Sequence, residues 1–162
     1  MENKTTELTR IALLAVLITV SGIFKIPGPA GSGFQLSAPI AVAIAAVFGF
    51  RRYILAGLIS SGVGFIFGTQ TIIHITIAMI FRGVAGGLIA LVGPSLLIIV
   101  IAGPLGSIAA RFFLSLILSQ SFLPLVIAAV PGIIFTAVFT YPLIIVLRRV
   151  VCKIDQGALA YG

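Results

Sequence analysis

Long apolar runs, divided by short clusters of Gly, Pro, Ser, Gln and paired basic residues, make up almost the whole chain. Within the runs apolar and polar positions do not alternate. The stretch Leu96-Leu97-Ile98-Ile99-Val100-Ile101 would be apolar on both faces of a strand, which argues against a β-barrel and for helices. The breaks then predict six helices, at about residues 8–24, 36–50, 53–67, 72–92, 95–118 and 122–147. The first break is Lys25-Ile26-Pro27-Gly28-Pro29-Ala30-Gly31-Ser32-Gly33, too rich in Gly and Pro to stay helical. Arg51-Arg52, Gly68-Thr69-Gln70-Thr71, Gly93-Pro94 and Ser119-Gln120-Ser121 make the others. Pro39 falls in a first helical turn, where it is tolerated, whereas a kink in the last helix is expected at Pro131 or Pro142. The second and third helices are short for a full crossing.

Composition turns these helices into membrane spans. The chain has 162 residues, 60% of them hydrophobic and only 8% charged. Its mean hydropathy is +1.33. So little polar surface cannot cover such a core in water, whereas lipid can serve as the outer solvent. At about 20 residues per span, the length accommodates six or seven helices in one domain, residues 1–162. The expected fold is therefore all-α, a polytopic membrane bundle of six transmembrane helices. The first apolar run follows Lys4 and Arg10 but no small-x-small cleavage site follows it, so it reads as a retained helix.

Charge sets an expected direction. The net charge is +7, but the basic residues cluster at helix ends and not among aromatics, so nucleic acid is not an expected partner. With the N-terminus inside, Lys4, Arg10, Arg51, Arg52, Arg148, Arg149 and Lys153 all fall on the cytoplasmic side, and Lys25 outside. An even number of spans then leaves both termini in the cytoplasm. Cys152, the only cysteine, reads as an inert juxtamembrane thiol or, less simply, a palmitoylation site. Small residues at Ser60, Gly64 and Gly68, and at Gly83 and Gly87, predict close helix packing or a sliding surface.

Catalytic residue types are nearly absent. The acids Glu2, Glu7 and Asp155 lie in the tails, and His74 is the single histidine. Paired carboxylates, a Ser-His-Asp arrangement, a clustered metal site and a phosphate-binding loop cannot be assembled, so neither an enzyme nor a cofactor or metal is expected. Two arginines stand out instead. Rise per residue puts Arg82 ~15 Å and Arg111 ~10 Å below the outer surface. Such a residue is costly in the bilayer and is a candidate functional site. The structural alternative for either is a guanidinium tied to backbone carbonyls or snorkelling to headgroups. With no membrane acid to pair them, the functional alternative is bidentate recognition of a ligand carboxylate. Gln70 and Thr71 lie at the outer mouth of the fourth helix, and His74 shares a face with Arg82. The residue 25–33 loop is a connector or a lid, with Phe34 and Gln35 at its end supplying an apolar wall and a hydrogen bond.

With these features in place, the chain resembles the substrate-binding S components of energy-coupling factor (ECF) transporters over roughly residues 5–149. The resemblance lies in the first helix (Ile11-Ala12-Leu13-Leu14-Ala15-Val16), the Gly/Pro-rich loop, Phe34-Gln35-Leu36-Ser37-Ala38-Pro39-Ile40 and the run from Val47 to Gly57. It continues in a last helix carrying Pro131 and Tyr141-Pro142 and closing on Arg148-Arg149. In length and in the helix 3–4 region it is most similar to the tryptophan-type S components. The resemblance implies capture of a vitamin or amino-acid-like nutrient from outside, with release driven by a transmembrane coupling subunit and two ATP-binding cassette ATPases. It also implies a docking strip on the first helix. The family's small-xxx-small pattern would start at Ala12 but meets Val16 four residues on, leaving Ala15 and Thr19 as substitutes. A proton-coupled secondary transporter and a non-transport assembly protein are the competing readings; the first lacks the intramembrane acid that usually carries the proton.

Overall fold

The computed structural model describes residues 4–27 and 33–160, with side chains described for 4–24 and 36–153. Six helices carry the chain: α1 (Lys4–Ile23), α2 (Ser37–Phe48), α3 (Phe50–Ile66), α4 (Ile72–Val92), α5 (Leu96–Leu118) and α6 (Phe122–Ala160). Four of them, α1, α4, α5 and α6, are long and apolar enough to cross a membrane. Between their polar ends, their outer faces are largely hydrocarbon, with Leu91 88% exposed, as in a protein whose outer solvent is lipid. This is a multi-pass membrane protein.

The core is built on α2. Its sequence, Ser-Ala-Pro-Ile-Ala-Val-Ala-Ile-Ala-Ala-Val-Phe, is apolar all round, the pattern of a helix surrounded by protein. It packs against all five other helices, and the consecutive residues Ala41 to Ala45 are buried. The alanines let neighbouring backbones approach closely, and Val42 and Ile44 are sealed completely. Successive packing of α1 on α3, α3 on α4, α4 on α5 and α5 on α6 wraps this centre.

Several boundaries differ from those read from the sequence. The α2–α3 break lies at Gly49, so Arg51 and Arg52 belong to the first turn of α3 and do not end α2. Gly49 has φ +83°, which a residue with a Cβ rarely adopts. Arg52 then lies 3.7 Å from Glu7 of α1. At the other end of the chain, α6 passes through Pro131 and Pro142 and beyond Arg148-Arg149 to Ala160. A proline removes one N–H from the ladder, and adjustments in a membrane helix can absorb that loss. The residue 25–33 loop also contains an unexpected element. Strands β1 (Lys25–Pro27) and β2 (Gly33–Gln35) pair antiparallel, Ile26 opposite Phe34, and Leu36 N–H donates to the Phe24 carbonyl just beyond the pair. Residues 28–32, the centre of the expected lid, lie outside the described residues.

Candidate functional site

At the end of the bundle that carries the β-ribbon and the α3–α4 and α5–α6 turns lies a cavity of about 880 Å³. It is formed where helices diverge from the packed centre. The C-terminal end of α1, the N-terminal end of α2, the first half of α4, the second half of α5 and the first half of α6 all contribute. The wall mixes Ala, Leu and Ile with Ser, Thr, Gln, His and Arg side chains, and Phe81 supplies the one aromatic hydrocarbon ring among the described lining residues. Gln70, His74, Arg82 and Arg111, separated by up to 41 residues in sequence, all line it. The side chains of Phe34 and Gln35 lie outside the described residues.

Arg82 is 6% exposed and reaches from α4 to α3. Its Nη1 donates to the Gly57 carbonyl at 2.8 Å and to Ser61 Oγ at 2.7 Å, with Met79 Sδ 3.9 Å away. Gly57 makes that approach possible. A Cβ there would lie 2.7 Å from Arg82 Cδ and Nε and 3.0 Å from Cζ, so the guanidinium stem occupies the space a side chain would fill. Two sequence expectations therefore meet at this residue: it is tied to a backbone carbonyl, and it also forms part of a cavity wall.

Arg111 is different. It is half-buried in the cavity wall, and no described residue hydrogen-bonds or ion-pairs with it. A half-buried guanidinium whose N–H groups have no partner among the described residues favours an anion that can reach it.

The mouth is built around the α3–α4 turn. Thr71 caps α4, its Oγ1 accepting from the His74 N–H at 3.4 Å. The same oxygen lies 2.8 Å from His74 Nδ1. If the hydroxyl proton goes to Nδ1, the imidazole is left with its N–H at Nε2. Gln70 folds back onto α3, where a Cβ on Gly64 would meet its Cδ and Cγ at 3.0 Å. Its Oε1 is buried without a partner among the described residues.

Beside the cavity, Thr136 of α6 seats its methyl in a gap left by Gly103 of α5, where a Cβ would lie 2.5 Å away. Gly106 closes α5 onto the Phe81 carbonyl of α4 at 3.0 Å by the same measure. Sequence reasoning missed Gly57, Ser61, Gly103 and Thr136. A signal for the first two was present, since Gly57, Ser61 and Gly64 recur at helical spacing and mark one polar, side-chain-poor face of α3.

The expected docking residues lie elsewhere. Ala12, Ala15 and Thr19 line an apolar groove of about 270 Å³ between α1 and α3, whose far wall is Ile59 and Val63. Ala15 is buried, whereas Ala12 is exposed. Thr19 donates to the Ala15 carbonyl at 2.8 Å, and its oxygen lies 2.9 Å from Ser60 Oγ. Ser60 and Gly64 thus serve packing within the chain, while Gly83 and Gly87 have nothing against them within 4 Å.

No family model matches the chain. Protein BioX of Lysinibacillus sphaericus is 53% identical to it over 140 residues, covering 86% of this chain and 84% of that protein. Identity at that level over nearly the full length, with alignment spanning most of the helical bundle, means that this chain belongs to the family of Protein BioX.

Proposed function

We propose that this protein is the membrane-embedded substrate-binding subunit of an ECF-type nutrient importer, taking a small carboxylate-bearing vitamin or amino-acid-like molecule from the outer side. The observation that carries this reading is the cavity itself: Arg111 stands in its wall without a partner among the described residues, and the buried Arg82 lines it as well. A volume of about 880 Å³ is within the range of small-molecule sites, which bury mostly apolar surface around a few oriented polar groups. A ligand carboxylate would neutralise a guanidinium in a poorly solvated site, where a charge-assisted hydrogen bond is about twice as strong as a neutral one.

In this reading the protein has no enzymatic activity, and its partners are a transmembrane coupling subunit and two ATP-binding cassette ATPases. The support is that the chain has no phosphate-binding loop, while the groove along Ala12, Ala15 and Thr19 offers an apolar seat for another membrane helix. The cavity end faces out, and the end bearing Arg10, Arg51, Arg52, Arg148 and Arg149 faces the cytoplasm.

Binding of biotin, pantothenate and octanoate, each beside its primary amide, to the purified protein in nanodiscs tests the reading. At least one acid should bind more tightly than its amide. Arg111→Gln should weaken that acid by about 2–5 kcal/mol, the range for truncating one partner of a buried charge pair, and leave the amide nearly unaffected. If every amide matches its acid, the carboxylate reading fails.

A further inference from the structure

Arg82 and Arg111 share a wall, but α3 treats only one of them as a fixture. A guanidinium has five N–H groups, two of them on each Nη nitrogen and one on Nε. In Arg82 the Gly57 carbonyl and Ser61 Oγ both accept from Nη1. No described residue accepts from Nε or Nη2. These nitrogens form the side-on edge of the guanidinium, where two N–H bonds run parallel and match the two oxygens of a carboxylate. We infer that Gly57 and Ser61 are positioning residues: they engage Nη1 and hold Arg82 so that its Nε–H and Nη2–H fork is the part left for the substrate's carboxylate. The inference rests on the carboxylate reading proposed above.

Two features of α3 make the hold specific. Gly57 supplies both the acceptor, its carbonyl, and the space, because the Arg82 stem lies where a Cβ would stand. Ser61 is four residues on, one turn along the same face, and is 2% exposed, so its hydroxyl cannot exchange Arg82 for bulk water. A lysine at position 82 could reach the same acceptors but has no second edge to present. Among the described residues nothing holds Arg111 in this way, so it remains free to move onto the same carboxylate.

The prediction separates positioning from general structure. The atoms nearest the Cβ of Gly57→Ala are Cδ, Nε and Cζ of Arg82, the far part of a flexible side chain, so the bundle should fold while the guanidinium moves. In nanodiscs, with the acid–amide pair (biotin, pantothenate or octanoate) that the unaltered protein separates best, Gly57→Ala should reduce the acid-over-amide preference about tenfold, the scale of one lost charge-assisted hydrogen bond. Ser61→Ala should reduce it by a smaller factor, and Ser61→Thr, which keeps the hydroxyl, should restore it. In an Arg82→Lys background the preference is already low, and Gly57→Ala should add nothing to that loss. Equal effects of Gly57→Ala in the Arg and Lys backgrounds would overturn the inference, because the change would not act through the fork. So would an unchanged acid-over-amide preference in Gly57→Ala. Failure of the unaltered protein to separate any acid from its amide sinks the carboxylate reading instead, and with it the basis of this one.

Discussion

Glycine has two opposite uses in this bundle, and a Cβ added at each position shows which applies. At Gly103 it would press on Thr136 at 2.5 Å, because α5 and α6 touch there with almost no side chain between them. At Gly83 it would meet nothing within 4 Å. Gly103→Ala should therefore destabilise the protein by about 1–3 kcal/mol through overpacking. Gly83→Ala should be neutral or stabilise by up to about 1 kcal/mol, because alanine is the better helix former. Unfolding in a mixed-micelle denaturant series measures both. Equal responses would mean that the α5–α6 contact is looser than described. Sequence spacing singled out Gly83 and Gly87, where an added Cβ would meet no described residue within 4 Å, and passed over Gly103. Spacing reveals a small-residue strip but not what lies opposite it.

At the scale of the element, α1 shows how much a helix owes to its surroundings. Its inner face, Ile11, Leu14, Ala15, Ile18 and Ser21, is buried, and the Thr19–Ser60 hydrogen bond ties it to α3. The groove beside that bond is lined by Ala12, Val16 and Val20 on the α1 side. Ala12→Trp would fill the groove from an exposed position without entering the core. Uptake in cells that carry the coupling subunit and ATPases should fall to background, while ligand affinity of the purified protein stays within about twofold, since association of membrane helices depends on close packing at such surfaces. Retained uptake would remove the groove from the docking proposal. Ala15→Trp is a poorer probe, because Ala15 is buried and the change would disturb the α1–α3 contact as well.

For the molecule as a whole, the direction of insertion decides whether the cavity meets nutrients or cytoplasm. Cys152 is exposed on the extension of α6, at the end that carries the basic residues. A membrane-impermeant maleimide should label it only after cells are opened, whereas a Ser32→Cys protein with Cys152 replaced should label in intact cells. Labelling of Cys152 in intact cells would invert the orientation and with it the proposed route of capture.

Much of this was legible without coordinates, for identifiable reasons. Apolar runs interrupted by Gly, Pro and charge determine helices and membrane residence, because in lipid each segment must satisfy its own backbone and cannot hide polar groups. The cost of an unpaired cation in the bilayer marked Arg82 and Arg111, and helical spacing put His74 on the Arg82 face. Tertiary structure decided the rest. Gly49, not the basic pair after it, turns α2 into α3, because a positive φ there makes the break and charge alone does not. The placing of Gln70, His74, Arg82 and Arg111 around one cavity depends on how α3, α4 and α5 cross, which no local pattern encodes. The unequal state of the two arginines depends on it as well. Both are the same residue type within an apolar run, yet only Arg82 faces a helix with a glycine and a serine one turn apart at the contact. The physical reason is that composition and periodicity set what each segment must bury, while a partner for a particular polar group comes from another segment brought close in space.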